Sequence, residues 1–483
     1  MAETTQSTSW TAESMAALLD RQRKAFLAEL PVTAATRIDR IDRAIQLLTA
    51  NEGRIADALS ADYGCRPRDL SRFTEAAACI GPLKYARKHV RQWMKPERRK
   101  LDFPFGPLGC RARIEYVPKG VMGIISPWNF PVFLAFLPLS GALAAGNRAM
   151  IKPSEHTPAT AELLAELIGR TFDETEVAVC TGGPEVGQAF SRLPLDHLLF
   201  TGGTAIGKLV MRAAADNLVP VTLELGGKSP VVVGRSANLE RTAQRVALGK
   251  LLNAGQICIA PDYAFVPAEK VQDFVAAVER QVRSLYPSLK DNPEYTSVIN
   301  ENQYTRLMTA VEEARQSGAE VREVNPAGED LSDDPLRKIT PTLVIEPDDG
   351  LQLMQEEIFG PVLPVKSYRS IDEVVAYVND RPRPLCLYYF GDDAEERFRV
   401  LSRTTSGGVT VNDVLIHALI EQLPFGGVGA SGVGVYRGID GFRAFSHPRA
   451  VFTSPRINLW KLMGLQPPYG KALKRTLARE LKV

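Results

Sequence analysis

Apolar residues recur at helical spacing through residues 11–95. Ile38, Ile41, Ile45 and Leu48 fall on one face, with Arg and Asp between them, and Met15, Leu18, Leu19, Phe26 and Leu30 repeat the pattern. Gly64 and Pro67 punctuate this region, and a further helix is expected over 73–94, stopped by Pro96. These helices are expected to cover the outside of a core. The run Lys95-Pro96-Glu97-Arg98-Arg99-Lys100 is short and broken by Pro and Glu, and it reads as a solvated linker.

From Arg111 the period changes. Residues 113–117 alternate as an exposed strand does, and 121–125 form an uninterrupted apolar run. Predicted helices over 133–145, 159–171, 184–190 and 204–214 then alternate with predicted strands at 149–151, 176–180, 197–200 and 220–225. A second α/β series occupies roughly residues 229–430. Its strands are expected at 229–233, 264–266, 340–345 and 362–366, and its helices at 239–252, 268–284 and 301–317. Strands that alternate with helices imply parallel, doubly wound sheets, and such sheets bind ligands beyond the carboxyl ends of their strands. Residues 445–453 read as an isolated strand. The tail, 467–483, reads as a basic amphipathic helix with Leu473, Leu477 and Leu481 at four-residue spacing. It suits docking on a partner surface; a single short helix of this kind gives at most weak contact with a membrane surface.

Residues 120–147 carry no charge and are long enough to span a bilayer. Pro127, Pro131 and Pro138 interrupt them, so a buried strand, a turn and a buried helix are expected, with no integral membrane anchor. The N-terminal residues 1–10 are polar and lack an apolar secretory core. A chain of 483 residues has room for two or three domains, and 45% hydrophobic with 24% charged residues excludes disordered and fibrous classes. A net charge of +2 gives no reason to expect a nucleic-acid partner. The six cysteines, at 65, 79, 110, 180, 258 and 386, show no CxxC spacing, so no metal site is expected and reduced thiols in a cytoplasmic compartment are.

Six segments carry candidate chemistry. Asn253-Ala254-Gly255-Gln256-Ile257-Cys258 places a thiol in a turn between a helix and a strand, where it can be reactive, although most single cysteines are packing residues. Leu223-Glu224-Leu225-Gly226-Gly227 ends a strand on a carboxylate followed by two glycines; a thiol and a carboxylate are the parts of covalent catalysis with a general base. Pro127-Trp128-Asn129-Phe130-Pro131 puts an amide after a buried strand, where it can meet a developing oxyanion or simply bond a turn. Phe200-Thr201-Gly202-Gly203-Thr204-Ala205-Ile206-Gly207 opens a helix with glycines and suits a phosphate, although it is not the GxGxxG fingerprint. Ile151-Lys152-Pro153-Ser154-Glu155 also ends a strand, and in Gln355-Glu356-Glu357-Ile358-Phe359 the two acids cannot both face one pocket, so Glu357 is expected inward. Cys258 with His417 would permit a thiol hydrolase, a reading that leaves the first α/β series without a use.

Taken together and in order, these segments, with the Pro424-Phe425-Gly426-Gly427 stretch, resemble the aldehyde dehydrogenase superfamily over nearly the whole chain. The Gly255-Gln256-Ile257-Cys258-Ile259-Ala260-Pro261-Asp262-Tyr263 form is most similar to the class 3 branch, for fatty and aromatic aldehydes, and within it to bacterial enzymes for coniferyl aldehyde. The resemblance implies two doubly wound α/β domains and a small β oligomerisation flap. It places the dinucleotide-binding domain at 1–98 and 119–225, the catalytic domain at 226–435, the flap at 99–118 and 436–455, and a C-terminal tail at 456–483. It implies Cys258 as nucleophile, Glu224 as general base and Asn129 at the oxyanion. Trp128, Lys152, Glu155, Gly202, Gly203, Gly207, Glu357 and Phe359 fall at cofactor positions; Gly203 stands where this loop often has a serine. Glu155 favours NAD, because a carboxylate repels a 2′-phosphate, while Lys152 leaves room for NADP. A homodimer and a small aldehyde substrate, aromatic before aliphatic, complete the expectation. A CoA-acylating member often lacks the base, and a silent scaffold would lack Cys258, Glu224 or Asn129; all three are present.

Overall fold

The computed structural model describes residues 10–103, 105–332 and 334–482, so the polar stretch 1–9 lies outside the described residues. Helices Ala12–Glu29, Ala34–Tyr63 and Ala78–Trp93 bury most of the predicted stripes: Met15, Leu18, Ile41 and Leu48 are fully enclosed, while Leu30, just past the end of the first helix, is exposed. Thr11 and Thr33 cap the first two with side-chain oxygens on backbone N–H groups.

Two large sheets form the frame. The first has six strands. Val121–Ile125 lies at its centre, flanked on one side by Arg148–Lys152 and Val177–Val179, and on the other by His197–Gly202 and Val221–Leu225. These five run parallel, and the chain leaves the central strand in both directions, which makes the sheet doubly wound. A two-residue strand, Gly432–Val433, returns from far along the chain to pair antiparallel with Leu223 and Glu224. The second sheet has seven strands, parallel except for Glu320–Glu323 at one edge. Its strands Pro230–Val233, Tyr263–Pro267 and Cys386–Phe390 are buried throughout, as sheets covered on both faces require.

The uncharged stretch 120–147 is a buried strand, a turn and the helix Phe133–Ala145, eleven of whose thirteen residues are buried. Burying each large aliphatic or aromatic side chain there contributes about 1.5–3 kcal/mol. Among the described residues no helix is long and apolar enough to cross a membrane.

One expectation needs correction. The basic run at 95–100 is not a free linker: Glu97–Arg99 forms a strand against Arg111–Pro118, and Tyr116 donates to Glu97 at 3.1 Å. Alternating charges on an exposed edge strand look like a linker in sequence. Arg111–Pro118 pairs on its other side with Ser446–Thr453, completing a three-stranded sheet. The tail forms two short helices, Leu459–Leu462 and Lys471–Glu480, with the Arg479 guanidinium over the Phe103 ring.

Candidate active site

The carboxyl ends of the first sheet's strands meet the segments that lead into the strands Tyr263–Pro267 and Val362–Tyr368 of the second. Cys258 sits in an irregular turn after the helix Leu239–Leu251. Asn253, Ala254 and Gly255 are three successive residues with positive φ, at 50°, 51° and 76°. For alanine this costs about 1–2 kcal/mol. The surroundings hold it: Asn253 Nδ2 donates to the Gln256 carbonyl at 3.3 Å, and the Gln256 amide donates to the carbonyls of Asn253 and Ser297 while accepting from the Ile299 N–H. A side chain at Gly255 would collide with the Gly360 carbonyl, so the turn packs directly on the segment carrying Glu357 and Phe359.

Cys258 is half-buried, and its Sγ donates to Glu224 Oε1 at 3.5 Å. Burial, then the Glu224 and Glu357 carboxylates, push the thiol well above its ordinary pKa, so the resting group is a thiol beside a base. Glu224, on Val221–Leu225, is 1% exposed. Its Oε2 accepts from Thr201 Oγ1 at 3.4 Å and from the Tyr436 hydroxyl. Burial raises its pKa, and Tyr436 and Arg437 oppose that rise.

The Asn129 side chain donates to the Gln256 carbonyl at 3.1 Å, two residues before Cys258. The Asn129 backbone carbonyl accepts from Tyr63 Oη at 3.3 Å and Arg66 Nη1 at 3.1 Å. Arg66 in turn pairs with Glu75 at 3.0 Å, both side chains fully buried, and Glu75 Oε2 accepts the N–H groups of Val132 and Phe133. The N-terminal helices thus grip the Asn129 turn through a buried ion pair. Removing one partner strands a buried charge. Arg66→Met is expected to lower unfolding stability by about 3–5 kcal/mol in chemical denaturation; an unchanged midpoint would show that the pair holds nothing.

The remaining predicted positions surround the same centre. Lys152 ends its strand buried and donates to Glu155 at 2.7 Å. Although burial raises the Glu155 carboxyl, the Lys152 ammonium holds it below the usual range. Gly202 ends the strand His197–Gly202, and Gly203 precedes the helix Thr204–Ala215. A Cβ on Gly203 would touch nothing within 4 Å, whereas one on Gly207 would strike Leu225, so the open face at this helix start is at Gly203. Trp128 and Phe359 meet edge to face at 5.3 Å, and Phe359 has a φ of 54°. Glu357 turns inward and Glu356 is exposed, as expected. The Glu357 carboxyl lies against Gly226, and burial and Asp262 push it up to about 8. This set fits a dinucleotide: a helix start open at a glycine, a lysine–glutamate pair at a neighbouring strand end, and two aromatic rings at the mouth.

His417 does not face Cys258. Its Nε2 lies 3.1 Å from Cys386 Sγ and its Nδ1 2.7 Å from Thr410 Oγ1, so the thiol–imidazole pairing joins a different, buried cysteine. Tyr63, Arg66, Glu75 and Tyr436 carry no motif signal, because the active-site groups they hold lie tens to hundreds of residues away. Among the described residues no cluster of His, Cys, Asp and Glu could hold a metal ion.

The sequence profile of the aldehyde dehydrogenase family matches residues 2–451, and the chain belongs to that family. It is an NAD(P)-dependent aldehyde dehydrogenase. A probable coniferyl aldehyde dehydrogenase of Caulobacter vibrioides is 54% identical over 466 residues, 96% of each chain. The coniferyl aldehyde dehydrogenase of Pseudomonas sp. strain HR199 is 52% identical, covering 97% of this chain and 96% of the relative. Among solved structures, substrate-bound AldH of Staphylococcus aureus superposes with a TM-score of 0.90 at 35% identity, covering 96% of this chain and 99% of its own. A Mycobacterium tuberculosis aldehyde dehydrogenase complexed with NAD+ gives 0.81 at 28% identity, covering 92% and 90%.

Proposed function

We propose that this enzyme oxidises a coniferyl-type aromatic aldehyde to its carboxylic acid through a thioester on Cys258. The hydrogen bond from Cys258 Sγ to Glu224 Oε1 carries the mechanism, and the full-length similarity to enzymes named for coniferyl aldehyde supports the substrate.

The Cys258 proton passes to Glu224 as sulfur attacks the aldehyde carbon. A neutral thiol with a carboxylate at hydrogen-bond distance allows this without a free thiolate. The carbonyl oxygen becomes an oxyanion, which Asn129 Nδ2 and the Cys258 N–H stabilise. An aldehyde carbon gives up hydride readily only once it is tetrahedral, so covalent capture comes first. NAD, when bound, supplies the hydride acceptor. Loss of hydride leaves a thioester; Glu224 passes the thiol's proton to solvent, then takes a proton from water as hydroxide adds to the acyl carbon, and the C–S bond breaks to free the acid while the Cys258 sulfur recovers a proton from Glu224.

In this reading Lys152, Glu155, Trp128, Gly202, Gly203, Gly207, Glu357 and Phe359 hold the cofactor, with Glu155 favouring NAD over NADP. Residues 10–96 and 119–225 form its binding domain and 226–435 the catalytic domain, and the strand Glu97–Arg99, on both sides of the expected boundary at 98, belongs to the small three-stranded sheet. The exposed strand Ser446–Thr453, on the outer edge of its sheet, serves homodimer formation in the cytoplasm. The test is NADH formation with coniferyl aldehyde and decanal in parallel. A kcat/KM for coniferyl aldehyde at least about 10-fold higher is expected; preference for decanal would reassign the enzyme to aliphatic aldehydes.

A further inference from the structure

We propose that Tyr436 is a positioning residue for the Glu224 carboxylate: its hydroxyl occupies Oε2, which leaves Oε1 for the Cys258 thiol and then for water, and favours the charged form of the base. The inference rests on Glu224 being the general base, as proposed above.

Glu224 has two carboxylate oxygens with separate duties. Oε1 accepts from Cys258 Sγ, on the reacting side. Oε2 accepts from Tyr436 Oη and, at a longer 3.4 Å, from Thr201 Oγ1. Tyr436 is 1% exposed and cannot swing away to water. Its backbone exchanges hydrogen bonds with Phe425 at 2.8 and 3.1 Å, and its ring stands edge-on to Phe425 at 6.2 Å. Between Phe425 and Tyr436, the strand Gly432–Val433 pairs with Leu223 and Glu224, so one segment braces both the backbone and the side chain of the base. The N–H of Leu225 completes the brace by donating to the Ser431 carbonyl at 3.0 Å.

The titratable groups that face Glu224 are Cys258, Cys386, Tyr436 and Arg437. Cys386 is buried and Cys258 half-buried, and burial pushes both thiol pKa values up, so both stay neutral. Arg437 is buried and paired with Glu421 at 3.1 Å, so its charge is partly spent. Burial, then Glu224 itself, push the Tyr436 phenol well above its ordinary pKa, so it keeps its proton and remains a donor throughout the working range. A hydrogen bond to an ionised acceptor favours that ionised form. Without it, the buried carboxyl would hold its proton to higher pH and serve less well as a base.

The test uses p-nitrophenyl acetate and Tyr436→Phe. Cys258 gives its proton to Glu224 as sulfur attacks the ester, p-nitrophenolate leaves and an acetyl thioester forms; once Glu224 has passed that proton to solvent, water gives it a proton, hydroxide attacks, the C–S bond breaks and acetate leaves as the thiol is restored. The burst of p-nitrophenolate reports acylation, and the steady rate reports deacylation. Loss of one charge-assisted hydrogen bond is expected to slow deacylation about 10-fold or more at neutral pH, and to move its rising pH limb up by about one unit. Burst amplitude and thermal melting are expected to stay near wild type, because phenylalanine keeps the packing. In a Glu224→Gln background the same change is expected to alter the residual rate by less than about two-fold, since both act through one group. An unshifted pH limb, or an equal slowing in the Glu224→Gln background, would overturn the role of Tyr436. If Glu224→Gln alone leaves deacylation at wild-type rate, the assignment of the base itself falls.

Discussion

Cys258→Ala is expected to abolish aldehyde oxidation, with a loss of more than about 10⁴-fold in kcat, the scale seen when a covalent nucleophile is removed. The loss should fall on chemistry alone. Cys258 is half-buried in a turn held by Asn253 and Gln256, so a smaller side chain leaves the turn intact. Three of the other thiols have partners of their own. Cys79 donates to the Glu75 carbonyl, and Cys386 is committed to His417. Cys65 lies against the carbonyls of 292, 293 and 295. NADH formation in steady state, with dinucleotide binding followed by fluorescence, checks this: binding is expected to persist without turnover. Residual activity within about 100-fold of wild type would remove Cys258 from its role.

Glu224→Gln gives the second large effect. The amide cannot accept a proton, so deacylation is expected to slow by about 10²- to 10⁴-fold, with an acyl-enzyme accumulating. The first turnover should also slow, because the same carboxylate takes the thiol proton. A pre-steady-state burst of NADH followed by a depressed steady rate is the expected trace. The substitution preserves shape and removes charge from a site where burial already disfavours charge, so folding should not suffer. A full steady-state rate would contradict the assignment.

Both doubly wound sheets were legible because strand and helix periods differ and because buried parallel strands read as unbroken apolar runs. The proposed catalytic trio could be named from the sequence because each member sits where an element ends beside glycine or proline, as at Pro127-Trp128-Asn129 and Glu224-Leu225-Gly226. What escaped sequence reading was everything that holds the trio. Arg66 looks like an ordinary charge in the Gly64–Pro67 break and Glu75 like one on an outer helix, yet both are fully buried beside the Asn129 turn. Tyr436 lies 212 residues from Glu224 and meets it only because Gly432–Val433 folds back onto the first sheet. A two-residue strand has too little pattern to announce itself. His417 failed for the opposite reason: its loop suggested a partner for Cys258, but the fold turns its ring toward Cys386.

The most direct test of the thioester route is mass spectrometry of acid-quenched Glu224→Gln enzyme after mixing with NAD and coniferyl aldehyde. The expected result is one acyl group, mapped to the peptide containing Cys258 and absent from the Cys258→Ala protein. NADH formation with no adduct on any peptide, or with the adduct on a different cysteine, would contradict it.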